Sequence, residues 1–100
     1  MIRMTEENAK AKAVKYRKLT EAALKRAKVC VAKDSHLFDV AIDFLEMARN
    51  YFNDAKYFEG RKEFVTAVAA YSYAHAWLDA GARLGLFDVK MDSRLFTLAK

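Results

Sequence analysis

Four polar residues in the second half of the chain recur three or four positions apart: Ser72, His75, Asp79 and Arg83. On an α-helix such positions are neighbours on one face. A histidine beside a carboxylate can be oriented for acid–base chemistry or prepared as a metal ligand. The same spacing also fits a structural role, in which His75 is hydrogen-bonded at the edge of a core and Asp79 pairs with Arg83.

No other feature of the sequence supports catalysis by this polar row. We identify no nucleophile, and one His with one Asp offers too few protein ligands for an ordinary zinc site. Helical ribonucleases of the HEPN class place an Arg upstream of a His, at a spacing that falls here on Val68, Ala69 or Ala70. We therefore assign no catalytic residue, expect no metal and no cofactor, and rank an enzyme last among the possible functions.

Basic residues are concentrated in the first third of the chain. Residues 1–33 carry ten Lys and Arg against three Glu, whereas residues 34–100 carry eight against ten acids, within a net charge of +5. At a rise of about 1.5 Å per residue, a first helix would spread its cations over roughly 30 Å and could follow a phosphate backbone. A solvated face that keeps the protein soluble explains the pattern equally. The residues of this basic face are Lys10, Arg17, Lys18, Lys25 and Lys28.

The apolar residues follow the helical period over three segments, and the absence of Pro and the presence of only three Gly argue against a β-sandwich. We predict an all-α protein with one domain over residues 1–100. Its architecture is an antiparallel, up-and-down three-helix bundle with an irregular C-terminal tail packed on it. The predicted elements are helices over about 6–31, 36–58 and 61–84, and a tail over 86–100.

Polar and glycine residues mark the ends of the predicted helices. Thr5 can cap the first helix, and Asp34 or Ser35 can cap the second. Gly60 ends the second helix or opens the turn after it, and Gly85 is suited to end the third.

The third predicted helix is apolar on two opposite sides. Small residues at positions 67, 74, 81 and 85 allow close packing on one side. The opposite side carries the candidate interface residues Tyr73, Trp77 and Leu84. A three-helix bundle covers one side only, so the other needs the tail, a partner protein or a second copy. We expect the tail to fold back and shield Trp77 or Tyr73.

The single cysteine, Cys30, excludes an internal disulfide and fits a reducing compartment. We expect it to be a small core residue of the first helix. The N-terminal residues lack the apolar region of a signal peptide, and the stretch from Phe64 to Leu86 is interrupted by polar groups. We expect a cytoplasmic protein without membrane contact.

One run of residues carries a family resemblance: YAHAWLDAGARLGLF, positions 73–87, with Tyr57-Phe58 and the Phe64-Val65-x-Ala67 segment before it. It resembles the signature of an archaeal family of domains of unknown function, number 357, over roughly residues 35–90. The resemblance implies a compact helical bundle in an archaeal, cytoplasmic setting, and it implies no activity.

The chain departs from that family pattern at two places. Ala76 stands where the family often has Gly, and Arg61-Lys62-Glu63-Phe64 replaces a Lys-Gly-Asp-Tyr-like turn. A fainter likeness is to tetratricopeptide helix pairs, through the small–aromatic–small spacing of Ala67, Tyr71 and Ala74. One pair does not make an array.

Three functions therefore remain open. The first is a protein-interaction or self-associating module that uses the apolar outer face of the third helix, with a protein partner or a homodimer. The alternative is an RNA accessory protein that binds nucleic acid through the basic face of the first helix. The third is an enzyme that uses His75 and Asp79.

Overall fold

The computed structural model describes residues 5–90 and 95–96, apart from the side chain of Glu6. Helix α1 spans Glu6–Arg26, α2 spans His36–Gly60 and α3 spans Phe64–Arg83. Two short strands, β1 at Lys28–Val29 and β2 at Phe87–Asp88, pair in antiparallel orientation. The three helices pack against one another, and the predicted all-α bundle is confirmed.

Local signals explain where the helices begin and end. The hydroxyls of Thr5 and Ser35 accept the backbone N–H groups of Asn8 and Phe38 at 3.1 and 3.3 Å, which satisfies donors that have no partner in a first helical turn. After α3, Gly85 adopts a φ of 77°. This left-handed residue closes the helix, as predicted for its position.

The first helix is shorter than predicted, because it ends at Arg26 and not at about residue 31. Ala27 is extended, with φ −69° and ψ 121°. Lys28–Val29 then pair with Phe87–Asp88, and the N–H of Cys30 donates to the carbonyl of Leu86 at 3.0 Å. Pairing with a strand almost sixty residues away thus overrides the local helical period. Val29 is β-branched, and β-branched residues favour strands.

Cys30 lies beyond α1 and is exposed, so its prediction as a core residue is wrong. Its thiol donates to the carbonyl of Gly85 at 3.3 Å. The other boundaries differ less. Helix α2 continues to Gly60, and α3 begins at Phe64 after a turn in which Lys62 adopts a φ of 64°.

Alanine side chains set the distance between the helices. Wherever two backbones face each other across a methyl group, they can approach closely. Helix α3 packs against both α1 and α2, which contact each other less. The alanines of the three helices with 0% exposure are Ala9, Ala13, Ala23, Ala41, Ala48, Ala55, Ala67 and Ala74.

The segment after α3 closes one end of this core. Leu86, Phe87, Val89 and Phe96 are all buried, so the tail packs on the bundle as predicted. The ring of Phe87 lies directly over Gly81 of α3, where an added Cβ would come within 2.1 Å of ring atom Cε2. Residues 91–94 and 97–100 of the predicted tail lie outside the described part of the chain.

The contact between Gly81 and Phe87 predicts a strong dependence on residue size. Gly81→Ala should destabilise the protein by about 1–3 kcal/mol, because the buried ring must move. Gly60→Ala is the matched control, since no atom lies within 4 Å of its added Cβ. The control should be unchanged or up to about 1 kcal/mol more stable, from helix propensity alone. Urea unfolding followed by circular dichroism measures both, and equal stability of the two variants would contradict this packing.

Candidate functional site

The predicted polar row places His75 on the side of α3 that faces α1. Its Nδ1 lies 3.2 Å from the hydroxyl of Thr20, which is 1% exposed. Its Nε2 is hydrogen-bonded to the backbone carbonyl of Leu95. The ring of Phe96 packs beside the imidazole, with the two centroids 6.3 Å apart. His75 therefore joins α1, α3 and the tail.

These partners determine the direction of one of the two hydrogen bonds of the ring. A carbonyl oxygen only accepts, so Nε2 carries a hydrogen and donates it to Leu95. The hydroxyl of Thr20 can donate to Nδ1 or accept from it. Both ring nitrogens are engaged within the protein, as the structural interpretation of His75 requires.

Of the other three residues of the polar row, one lies beside His75 and two lie at the surface. Asp79 lies near the imidazole, with Oδ1 3.8 Å from Nε2, and both side chains are about a quarter exposed or less. Ser72 is exposed at the rim, and Arg83 is exposed near the end of α3. The structure thus brings Asp79 to His75, the pairing expected for residues four apart.

A cavity of about 340 Å³ opens between α1 and α3 at this point. That volume lies at the lower end of small-molecule sites. Its polar groups come from both helices, and the tail forms part of its wall. The lining residues are Tyr16, Leu19, Thr20, Tyr71, Ser72, His75, Ala76, Asp79, Leu95 and Phe96.

A second polar cluster links all three helices, and the sequence analysis missed it. Glu59 of α2 accepts the hydroxyl of Tyr71 of α3 at 2.7 Å and pairs with the guanidinium of Arg17 of α1. The carboxylate is 13% exposed and Arg17 is 33% exposed. Arg17, a predicted member of the basic face, is therefore turned towards the protein. No local spacing could have indicated this contact, because its members come from three separate helices.

Burial raises the pKa of Tyr71 well above its ordinary value of 10.0, and the adjacent Glu59 raises it further. Ionising the phenol would place two negative charges side by side in a partly buried site. Tyr71 therefore remains a hydrogen-bond donor to Glu59 across the physiological range.

The predicted interface residues lie on the outer side of α3 and at its edge with α2. Tyr73 is 49% exposed and Leu84 is 66% exposed, whereas Trp77 is partly buried. Trp77 packs edge-on against Phe44 of α2, with ring centroids 5.0 Å apart, and Tyr73 packs against Tyr51 at 4.3 Å. The tail was predicted to shield Trp77 or Tyr73. Tyr73 stays half exposed, whereas Trp77 packs against the core cluster to which the tail contributes Leu86, Phe87, Val89 and Phe96.

The lysines of the predicted basic face point into solvent. Lys10, Lys18, Lys25 and Lys28 are all exposed. Lys25 pairs with Glu21 one helical turn earlier at 3.3 Å, with both side chains at least half exposed. Such exposed pairs contribute little to stability.

Residues 5–90 and 95–96 offer neither a metal centre nor a membrane span. This part contains no group of three or more His, Cys, Asp or Glu side chains arranged to hold a metal ion. No helix in it combines the length and apolar character that a bilayer span requires.

Comparison with known proteins gives one match. A family model described as "Protein of unknown function (DUF357)" matches residues 15–87. The match includes the second half of α1, all of α2 and α3, and the cluster around Glu59, whereas Leu95 and Phe96 beside His75 lie beyond it. Neither the curated proteins nor the solved structures gave a significant match.

The cluster around Glu59 predicts unequal roles for two basic residues of α1. Arg17→Met should destabilise the protein by about 1–3 kcal/mol, because it leaves a largely buried carboxylate without its cation. Lys25→Met removes the same charge from an exposed pair and should cost no more than about 0.5 kcal/mol. Thermal and urea unfolding compare the two variants. Equal losses would show that Arg17 is one more solvated cation of the basic face.

Proposed function

Because this chain belongs to the DUF357 family, whose description assigns no activity, we propose a function from its own surfaces: it is a protein-interaction module. The binding surface is the outer face of α3, continued by the aromatic side chains of α2 beside it. The partner is an amphipathic helix whose apolar face is flanked by Lys or Arg.

One observation supports the proposal above the others. Helix α3 and the residue that caps its C-terminus expose three large apolar side chains, with Val65 at 58%, Tyr73 at 49% and Leu84 at 66% exposure. At about 100° of rotation and about 1.5 Å of rise per residue, these positions share roughly a third of the helix circumference and lie about 12 and about 17 Å apart along the axis. They form one stripe along which a docked helix can contact each of them.

The surface between these residues is shallow. Ala69 and Ala76 are exposed on the same side of α3. Their small side chains would let a second helix approach closely, as alanines do inside the bundle. Large residues beside small ones provide the anchors and the contact area that a docked helix needs.

Aromatic contacts hold the adjoining edge of this surface in place. Trp77 packs against Phe44 and Tyr73, and Tyr73 packs against Tyr51, so four rings form a continuous chain from α2 to α3. Edge-to-face ring pairs add about 0.5–1.5 kcal/mol each beyond burial. Rings that are already ordered lose little conformational entropy when a partner binds.

Charge indicates the chemistry of the partner. On α2, Asp43, Glu46 and Asp54 are all exposed. Burial raises the pKa of Tyr51, and its neighbours Tyr73 and Asp54 raise it further. The carboxylate of Asp54 is thus an acid near the aromatic rings. An apolar surface with acids at one edge favours a helix with cations along its flank.

The enzyme hypothesis ranks below this one because both nitrogens of His75 are engaged by Thr20 and Leu95. A general base needs an accessible lone pair directed at the substrate. The nucleic-acid alternative is supported by the exposed lysines of the basic face. It is not supported by Arg17, because this residue is bound to Glu59.

Trp77 is the only tryptophan and lies at the edge of the proposed surface, so its fluorescence reports binding directly. The probe is a tryptophan-free helical peptide of about 20 residues with a leucine face flanked by lysines. We expect saturable changes in Trp77 emission with this peptide, and none with the same peptide carrying glutamates. Tyr73→Ser combined with Leu84→Ser should weaken binding about tenfold or more, the loss of an interface anchor, without changing the charge of the surface.

Tyr57→Ser is the matched control, since Tyr57 is 59% exposed and its ring packs against Phe58, outside the chain of four rings. It should bind the lysine peptide like the unchanged protein. Indifference of Trp77 to both peptides would contradict the proposal. Light scattering tests self-association: a dimer that the Tyr73 and Leu84 substitutions dissociate would assign this face to a second copy instead.

A further inference from the structure

Three cations within positions 25–28 and a fourth at position 90 line one groove in the folded protein. Lys25 and Arg26 come from the last turn of α1, Lys28 from β1, and Lys90 from the segment after β2. The groove has a volume of about 630 Å³, and its apolar lining is formed by Leu19, Ala22 and Leu95. We propose that this basic groove binds closely spaced phosphate groups, as in the backbone of a single-stranded nucleic acid.

The strand pair creates this convergence of charge. Lys28 and Asp88 are partners across the two strands, which brings the segment after β2 to the end of α1. Lys90 adopts a left-handed φ of 53°, and its backbone N–H donates to the carboxylate of Asp88 at 3.0 Å. This contact fixes the backbone from which the Lys90 side chain extends to the groove.

Two acids of the described part of the chain lie beside the lysines of the groove. Glu21 pairs with Lys25 at 3.3 Å, but both side chains are at least half exposed, so the pair is weak. The carboxylate of Asp88 is engaged by a backbone N–H. Lys25, Lys28 and Lys90 are all exposed, so three solvated lysines line the groove between α1 and the strands.

The lining of the groove indicates what part of a nucleic acid it contacts. Three of the four cations are lysines, which bind phosphate as point charges on flexible stems. No described lining residue is aromatic, so the groove offers no surface for stacking bases. Contact would be with phosphates, and affinity would depend on salt and little on base sequence.

Only part of the basic face predicted from the sequence lies at this groove. Arg17 is bound to Glu59, Lys10 lies at the opposite end of α1 from the groove, and Lys18 is not among the residues that line it. Lys25 and Lys28 remain, and the fold adds Arg26 and Lys90 to them. The groove shares no residue with the proposed protein-binding face of α3, so each proposal can fail without the other.

The test measures fluorescence anisotropy of a labelled, mixed-sequence single-stranded RNA of about a dozen nucleotides, within the site sizes of single-strand binders. Binding at about 50 mM salt should weaken steeply towards about 200 mM. Lys28→Glu combined with Lys90→Glu should weaken binding at least about tenfold. Lys12→Glu combined with Lys15→Glu makes the same change of charge at exposed positions in the first half of α1. We expect this control to weaken binding less than about threefold, by long-range attraction alone.

Both substituted groove lysines are exposed, so the variant should keep its helical circular dichroism spectrum. Lys25→Ala combined with Lys28→Ala provides a second, milder variant, which should also lose affinity. Competition with inorganic tripolyphosphate distinguishes the source of the phosphates. If RNA binds more tightly, the ligand is a nucleic-acid backbone, and if tripolyphosphate binds as tightly, it is a free polyphosphate. The proposal is overturned if neither binds at low salt, or if the control variant loses as much affinity as the groove variant.

Discussion

The position of α3 between the other two helices is the constraint on which the rest of the structure depends. Ala67 and Ala74 are fully buried, and Gly81 lies beneath the ring of Phe87, so the backbone of α3 is held close to its neighbours. Two flanks of this helix are thereby occupied. The third flank keeps its large apolar side chains, Tyr73 and Leu84, in solvent. The exposed surface thus follows from which sides of α3 carry small residues.

Polar contacts fix the relative orientation of the helices, which contacts between methyl groups do not. The hydrogen bonds of Glu59 to Tyr71 and of Thr20 to His75 tie fixed points on different helices together. Two residues that look functional in the sequence, Arg17 and His75, make their described contacts within the bundle. Conversely, the fold adds a distant lysine to a group of cations that is already local in the sequence. The strand pair places Lys90 beside the end of α1, where it joins Lys25 and Lys28 in one groove.

The predictions succeeded where structure depends on local periodicity. The buried side of α3 was assigned from spacing alone, and Asp79 was expected beside His75 because four residues span one helical turn. They failed where distant segments meet. The extension of α1 past Arg26 was wrong because Phe87–Asp88 pair with Lys28–Val29. For the same reason, neither the contact of Glu59 with Arg17 nor the proximity of Lys90 to Lys28 could be predicted.

The most direct test of this account is hydroxyl-radical footprinting of the dilute protein, with oxidation of each side chain measured by mass spectrometry. Tyr73 should be oxidised as readily as the exposed Tyr57 and Leu84 far more than Leu78, while Tyr71 and Leu78, both 0% exposed, should be protected. That result would show an outer face of α3 left open by the rest of the chain. Protection of Tyr73 and Leu84 in the monomer would show that the chain covers this face itself, which contradicts the account.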